Sequence, residues 1–192
     1  MASRRLEIYR GVQRKWLGGR IAPALFRKKG RFSDADGDAV LRVPFHARKP
    51  GVKRIWFHAA SVGELEAIWS VIQVAAAAGP VELILTVFSE SARAAVARLS
   101  EEVSRTEGCR VEFTGYSPWE GNWDDCLSRA SPDVFVTAKY EAWPELWASL
   151  GEQKIPLVIV GAKVRRSLTF AKKWVARLGA VLPKMVLLPV ME

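Results

Sequence analysis

Apolar and polar positions along this chain alternate between two periods. Short apolar runs rich in β-branched residues, at Ile55 to His58, Val81 to Val87, Arg110 to Thr114, Val134 to Tyr140, Leu157 to Val160 and Met185 to Val190, read as buried strands. Between them, apolar residues recur at helical spacing near Leu65 to Ala78, Glu90 to Ser104, Trp123 to Ala130, Pro144 to Glu152 and Ser167 to Leu178. Strands that alternate with helices must run parallel, because each helix is the crossover that carries the chain back to the start of the next strand. The pattern therefore predicts an α/β fold: a Rossmann-like open parallel sheet with helices on both faces, occupying residues 39–192. No internal repeat or low-complexity stretch competes with that reading.

Parallel topology places the strand C-termini along one edge, so the segments that follow them are predicted to line a common crevice. These are Ala59 to Glu64, Phe88 to Ser91, Tyr116 to Glu120, Glu141 to Pro144 and Gly161 to Arg166. In the first, Ile55-Trp-Phe-His-Ala-Ala-Ser-Val-Gly-Glu64, an apolar strand runs through a small-residue turn into a carboxylate at a helix start. Glu64 has two readings. Ser61-Val-Gly-Glu64 fits a capping box, in which Ser61 accepts from the third helical N–H and Glu64 reaches back to the cap. Alternatively, a carboxylate beside a helix N-terminus stays ionised at neutral pH and can serve a ligand at the open edge of the sheet. His58 ends the strand and is either a hydrogen-bonded core residue or a site residue. Glu141 follows an apolar strand and needs a partner or a ligand there, whereas Trp143 and Pro144 suit sheet packing and a first helical position.

Composition changes this picture little, and charge changes it more. With 192 residues, 49% apolar and 26% charged, the chain suits one globular domain with its own core. Cys109 and Cys126 show neither metal nor disulfide spacing and read as small buried hydrophobes of a reducing compartment. Asp34, Asp36 and Asp38 lie two apart, as in a calcium loop. Gly37 falls at the fourth position and Phe45 at the twelfth, so no metal site is expected.

The charge is concentrated at one end. Residues 1–32 hold ten Lys or Arg against the single acid Glu7, which accounts for the whole net charge of +9. Leu6, Tyr9, Val12, Trp16, Leu17, Ile21 and Leu25 recur there at helical spacing, interrupted by Gly18 and Gly19. The segment reads as a basic amphipathic helix lying in a membrane interface, with Trp16, Leu17, Ile21, Leu25, Lys28 and Lys29 as lipid contacts. A solvated tail and a nucleic-acid arm are the other readings of such charge, and the interleaved apolar residues favour the membrane. No apolar run approaches the ~20 residues of a span, and no signal peptide is present. The expected division is 1–38 as membrane-associating segment and linker, and 39–192 as the domain.

Two motifs carry a family resemblance. His58-Ala-Ala-Ser-Val-Gly-Glu64 and Lys139-Tyr-Glu-Ala-Trp-Pro144 resemble the N-terminal half of the Kdo (3-deoxy-D-manno-octulosonic acid) transferases of lipopolysaccharide synthesis. That family reads His-Ala-Val-Ser-Val-Gly-Glu and Glu-Thr-Glu-Leu-Trp-Pro at these places. Here Lys139 and Tyr140 replace the first Glu and the Thr, Glu145 replaces an Asn, and Ala92 stands where the family has Gly. The resemblance covers about residues 50–190. It implies the N-terminal half of an inverting GT-B glycosyltransferase that binds the lipid A precursor, with Glu64 as catalytic base. His58, Ser61, Gly63, Ser89, Glu141 and Trp143 would shape the acceptor site, and Lys163, Arg165 and Arg166 would contact acceptor phosphate. It also implies CMP-Kdo as donor with no bound cofactor, a C-terminal donor domain in the same or another chain, and a peripheral place on the cytoplasmic face of the bacterial inner membrane.

The chain is then expected to be an acceptor-binding domain, inactive without a donor domain, with no nucleic acid as partner. The alternative is a non-catalytic membrane-associated or partner-binding module that keeps the fold. No glycine-rich nucleotide loop, metal cluster or nucleophile triad points to another enzyme class.

Overall fold

A computed structural model describes residues 3–17, 39–139, 142–162 and 166–189, with the backbone alone at Trp16, Leu17, Arg166 and Ser167. The chain runs α1 (Arg4–Leu17), α2 (Ala39–Arg42), β1 (Lys53–Ala59), α3 (Val62–Ala77) and β2 (Val81–Val87). A 3-10 turn (Glu90–Ala92) then leads into α4 (Arg93–Val103), β3 (Cys109–Tyr116), α5 (Trp123–Ala130) and β4 (Val134–Ala138). It closes with α6 (Pro144–Glu152), β5 (Leu157–Ala162), α7 (Arg166–Arg177) and β6 (Met185–Pro189).

The six strands form one all-parallel sheet in the order β3-β2-β1-β4-β5-β6. Strand order reverses between β1 and β4, because the chain crosses there from one face of the sheet to the other. Phe57, Ala59, Leu83, Leu85, Val87, Val136 and Ala138 point to the face covered by α3 and α4. Trp56, Ile84, Phe135, Leu157 and Ile159 point to the face covered by α5, α6 and α7. This is the period of two expected of strands buried on both sides. The second face is built on aromatics: Trp56, Trp123 and Phe135 meet pairwise with ring centroids 5.6–5.7 Å apart. Burying each such side chain contributes about 1.5–3 kcal/mol, so this cluster anchors α5 against β1 and β4.

Three expectations are corrected. The fourth strand, predicted to reach Tyr140, ends at Ala138 because Lys139 turns left-handed with φ 50°. That conformation costs a non-glycine residue on the order of 1–2 kcal/mol. The first and last strands in the spatial order, β3 and β6, are edge strands, so they are half-exposed rather than buried, and Val186, Leu187 and Leu188 are about two-fifths exposed. Cys126 is buried as expected, but Cys109, at the start of edge strand β3, is only partly so.

The N-terminal helix also differs from its reading. Leu6, grouped by spacing with the lipid-facing residues, is fully buried in the aromatic core, and Tyr9 packs against the same core. Tyr9 meets Trp174 of α7 at 6.2 Å. Arg10, one turn beyond Leu6 on the same stripe, is 2% exposed. A helix that docks on a protein shows the same period as one that lies on a membrane, so spacing alone does not separate them. The opposite side of α1 exposes Ile8 and Val12 among Arg4, Arg5 and Lys15. Of the remaining membrane-contact residues, Ile21, Leu25, Lys28 and Lys29 lie outside the described residues. No described helix is long and apolar enough to cross a membrane.

Candidate functional site

The loops beyond the strand C-termini continue the sheet's hydrogen bonding. Phe88 and Ser89 donate from their backbone N–H groups to Ala59 O (3.1 Å) and Ala60 O (2.9 Å), and Ser117 N–H donates to Val87 O at 2.8 Å. Three of the predicted segments are thereby joined into one rim across β1, β2 and β3. On the other side of the switch, Lys139 N–H donates to Val160 O at 2.8 Å.

Glu64 lies in the first turn of α3, and its Oε2 accepts from Ala60 N–H at 2.7 Å. Half of the expected capping box is therefore present, one residue earlier than expected. The other half is corrected: Ser61 is the N-cap by its extended backbone (φ −142°, ψ 169°) but makes no side-chain capping bond. A Cβ added at Gly63 would meet nothing within 4 Å, so packing against the described residues does not demand glycine there. Ser89 caps the 3-10 turn, accepting from Ser91 N–H at 3.2 Å, with the two hydroxyl oxygens 2.6 Å apart.

His58 is buried (1% exposed), with Nδ1 3.1 Å from Thr86 Oγ1 and its ring edge-on to Trp123 at 5.5 Å. Thr86 donates its own proton to Phe57 O and accepts from Trp56 Nε1. That leaves Thr86 an acceptor toward His58 and puts the ring proton on Nδ1. His58, Phe88, Ser117, Pro118, Glu120, Trp123 and Trp143 line a narrow cleft, too tight as it stands to admit a water molecule. Trp143, the N-cap of α6, stacks obliquely on Phe88 at 5.4 Å.

Sequence reasoning did not single out Glu120, which lines this cleft, or Glu145, which is buried beside it, as site residues. Glu145 (fully buried) accepts from the N–H groups of Gly121, Trp123 and Asp124 at 3.1–3.2 Å, from Ser149 Oγ at 2.8 Å and from Arg10 Nε at 3.3 Å. It thereby caps α5, whose own N-cap, Asn122, makes no side-chain bond. Glu120 returns the favour for α6: its Oε1 accepts from Glu145 N–H at 2.7 Å, and also from Tyr9 Oη at 3.2 Å. Its Oε2 is buried and accepts no hydrogen bond from the described residues. Burial, and then the charge of Glu145, raises the pKa of Glu120 to about 8. Burial raises Glu145 as well, but its five donors, the Arg10 cation among them, oppose this, so Glu145 is the member that carries the charge. The one available sequence signal was an acid at the second position of α6, whose residues from Glu145 to Gly151 are all buried.

The remaining expected residues fall elsewhere. Glu141, Lys163 and Arg165 lie outside the described residues, and Arg166 begins α7 without a described side chain. The described residues contain no group of three or more potential metal ligands.

A doubly wound parallel sheet with a cleft over its strand C-termini at the switch point is consistent with the N-terminal, Rossmann-like half of a GT-B glycosyltransferase. The family model of the 3-deoxy-D-manno-octulosonic-acid transferase (kdotransferase), for its N-terminal domain, matches residues 26–188, and the chain belongs to that family. The family acts in lipopolysaccharide biosynthesis and implies a CMP-Kdo donor and a lipid A acceptor.

Proposed function

We propose that this domain binds the lipid A precursor over the C-terminal rim of its sheet, and that Glu64 is the general base for Kdo transfer from CMP-Kdo. The observation that carries this reading is the placement of Glu64. Its carboxylate is fixed by Ala60 N–H at a helix N-terminus on the rim, beside a glycine that packing does not require. In the reaction, the acceptor hydroxyl oxygen bonds to the anomeric carbon of Kdo. CMP departs with the electrons of the broken bond, and Glu64 takes the hydroxyl proton. Ser61, Ser89 and Trp143 shape the acceptor site, with His58 set beneath it. Glu141, Lys163, Arg165 and Arg166 complete the site, the three cations holding acceptor phosphate. A donor domain, in the same chain or another, presents CMP-Kdo across the cleft, since in-line geometry supplies much of the rate. The exposed side of α1, with Ile8 and Val12 among cations, supports a peripheral seat on the anionic cytoplasmic face of the inner membrane.

The test is a transfer assay with CMP-Kdo and a tetra-acylated lipid A precursor in the presence of a donor domain. Glu64→Gln is expected to lose about 10²-fold or more in turnover while stability changes by about 1 kcal/mol or less, since the amide oxygen still accepts from Ala60. Unchanged turnover would assign Glu64 to capping alone.

A further inference from the structure

The buried contacts of α1 converge on one place. Arg10 donates from Nη1 to Glu7 (2.8 Å) and from Nη2 to Ser149 Oγ (2.8 Å) and Glu152 (2.9 Å), with Asp124 at 3.3 Å and Glu145 at 3.3 Å from Nε. Arg14 Nε donates to Gly121 O at 2.7 Å, and Tyr9 donates to Glu120. The helix lies so close that a Cβ at Gly121 would come within 3.0 Å of Arg14 N and 3.1 Å of Arg10 O. Gly121 also has φ 99°, so only glycine suits this crossing. Apart from Glu7, which lies on α1 itself, these partners belong to α5, to α6 or to the loop 117–122 between β3 and α5. Ser117, Pro118 and Glu120 of that loop line the cleft.

The two glutamates exchange caps, each holding the start of the helix that follows the other's strand. Charge on both buried carboxyl groups would be repulsive, and α1 reaches each of them separately: Arg10 pairs with Glu145, and Tyr9 donates to Glu120. We propose that Arg10 and Glu120 are positioning residues for the cleft: α1 is a clamp that fixes residues 117–124 and the start of α6 through this pair. The inference concerns the shape of the cleft and does not depend on which reaction occurs there.

The clamp has a proton-dependent signature. Among the described residues, Tyr9 and Arg10 from α1 bond to Glu120 and Glu145; Glu7 of α1, Asp124 of α5 and Glu152 of α6 surround Arg10, Arg14 of α1 holds Gly121, and His58 of β1 lines the same cleft as Glu120. Glu120 holds its proton up to about pH 8. Above that, a second buried charge joins that of Glu145, the two repel, and the clamp loosens.

Amide exchange and chemical shifts of the whole chain, followed by NMR from pH 6 to 9, test this. In the unmodified protein the amides of Gly121, Trp123, Asp124 and Glu145, which donate into the pair, are expected to shift together with a midpoint near pH 8. Glu120→Gln, which mimics the protonated acid, is expected to remove that transition and keep the amides protected. Arg10→Met is expected to lower protection of the same four amides by about tenfold or more while β2 changes by less than about twofold, and Arg10→Lys is expected to recover part of the loss. Persistence of the transition in Glu120→Gln overturns the proposal. So does an Arg10→Met protein whose four amides stay protected, or one that loosens equally in β2. Should Arg10→Met not fold, the pH transition and its removal by Glu120→Gln decide the matter alone.

Discussion

The two edges of the sheet handle buried charge in opposite ways. At the N-terminal edge, Arg54 (3% exposed) donates to Glu82 at 2.8 Å, to Ala130 O at 2.6 Å and to His46 O at 2.7 Å. Glu82 pairs in turn with Arg110 at 2.6 Å, Glu112 lies 3.0 Å from His46, and Asp133 accepts from Arg54 N–H at 2.8 Å. Opposite signs alternate there. Burial pushes the carboxyl groups of Glu112 and Asp133 up, but their hydrogen bonds and neighbouring cations outweigh it and hold both below the usual range. At the C-terminal edge Arg10 is the cation for Glu7, Asp124, Glu145 and Glu152 together, Glu120 Oε2 accepts no hydrogen bond from the described residues, and Lys139 holds a left-handed backbone. Charge at the lower edge is arranged for stability. At the upper edge it is arranged at a cost to stability, which is where binding sites in such folds are found.

Removing the central cation of the lower edge is expected to give the largest effect. Arg54→Met leaves Glu82 buried with Arg110 alone, and chemical denaturation should show a loss of about 3–5 kcal/mol. If the loss is below about 1 kcal/mol, the lower edge is not a stabilising network and the contrast fails.

The upper edge is tested by pH. The carboxyl of Glu120 is raised in the folded state to about 8, so between its unfolded value near 4.5 and pH 8 the folded protein binds the extra proton. Stability therefore falls as pH rises through that window, by at most ~1.4 kcal/mol per pH unit from this group. Glu120→Gln is expected to flatten this slope, as read from urea midpoints at pH 5, 7 and 8.5. An unchanged slope would locate the pH dependence elsewhere.

The smallest effect is expected at Asp133, whose folded pKa is lowered. Its stabilisation is present above the ordinary carboxyl value near 3.8 and is lost as pH falls below it, opposite in sign to Glu120. Asp133→Asn should cost about 1 kcal/mol at pH 7, and that cost should shrink as pH falls below the ordinary carboxyl value, measured by thermal unfolding.

Period and length were enough to read the alternating elements, since a strand buried on both faces and an amphipathic helix leave different marks; α5 and α6 match their predicted limits. The position of Glu64 at a strand-to-helix turn was legible for the same reason. The exchange of caps between Glu120 and Glu145 was not, because it depends on two loops meeting across the sheet, and neither loop signals the other. The bond from Arg10 to Glu145 spans 135 residues and pairs a helix that reads as lipid-facing with one that reads as core. Glu145, standing where the family has Asn, was the nearest thing to a clue.

The bonds that tie Phe88 to Ala59, Ser89 to Ala60 and Ser117 to Val87 bear on timing as well as geometry. A rim continuous with the sheet has little slack, so a ligand arriving there meets a surface that is already set and loses little entropy in ordering it. Movement of these three loops would have to break those bonds first, so shielding of a reacting group is expected from a larger body, swinging as a whole on the microsecond-to-millisecond scale typical of hinged domains.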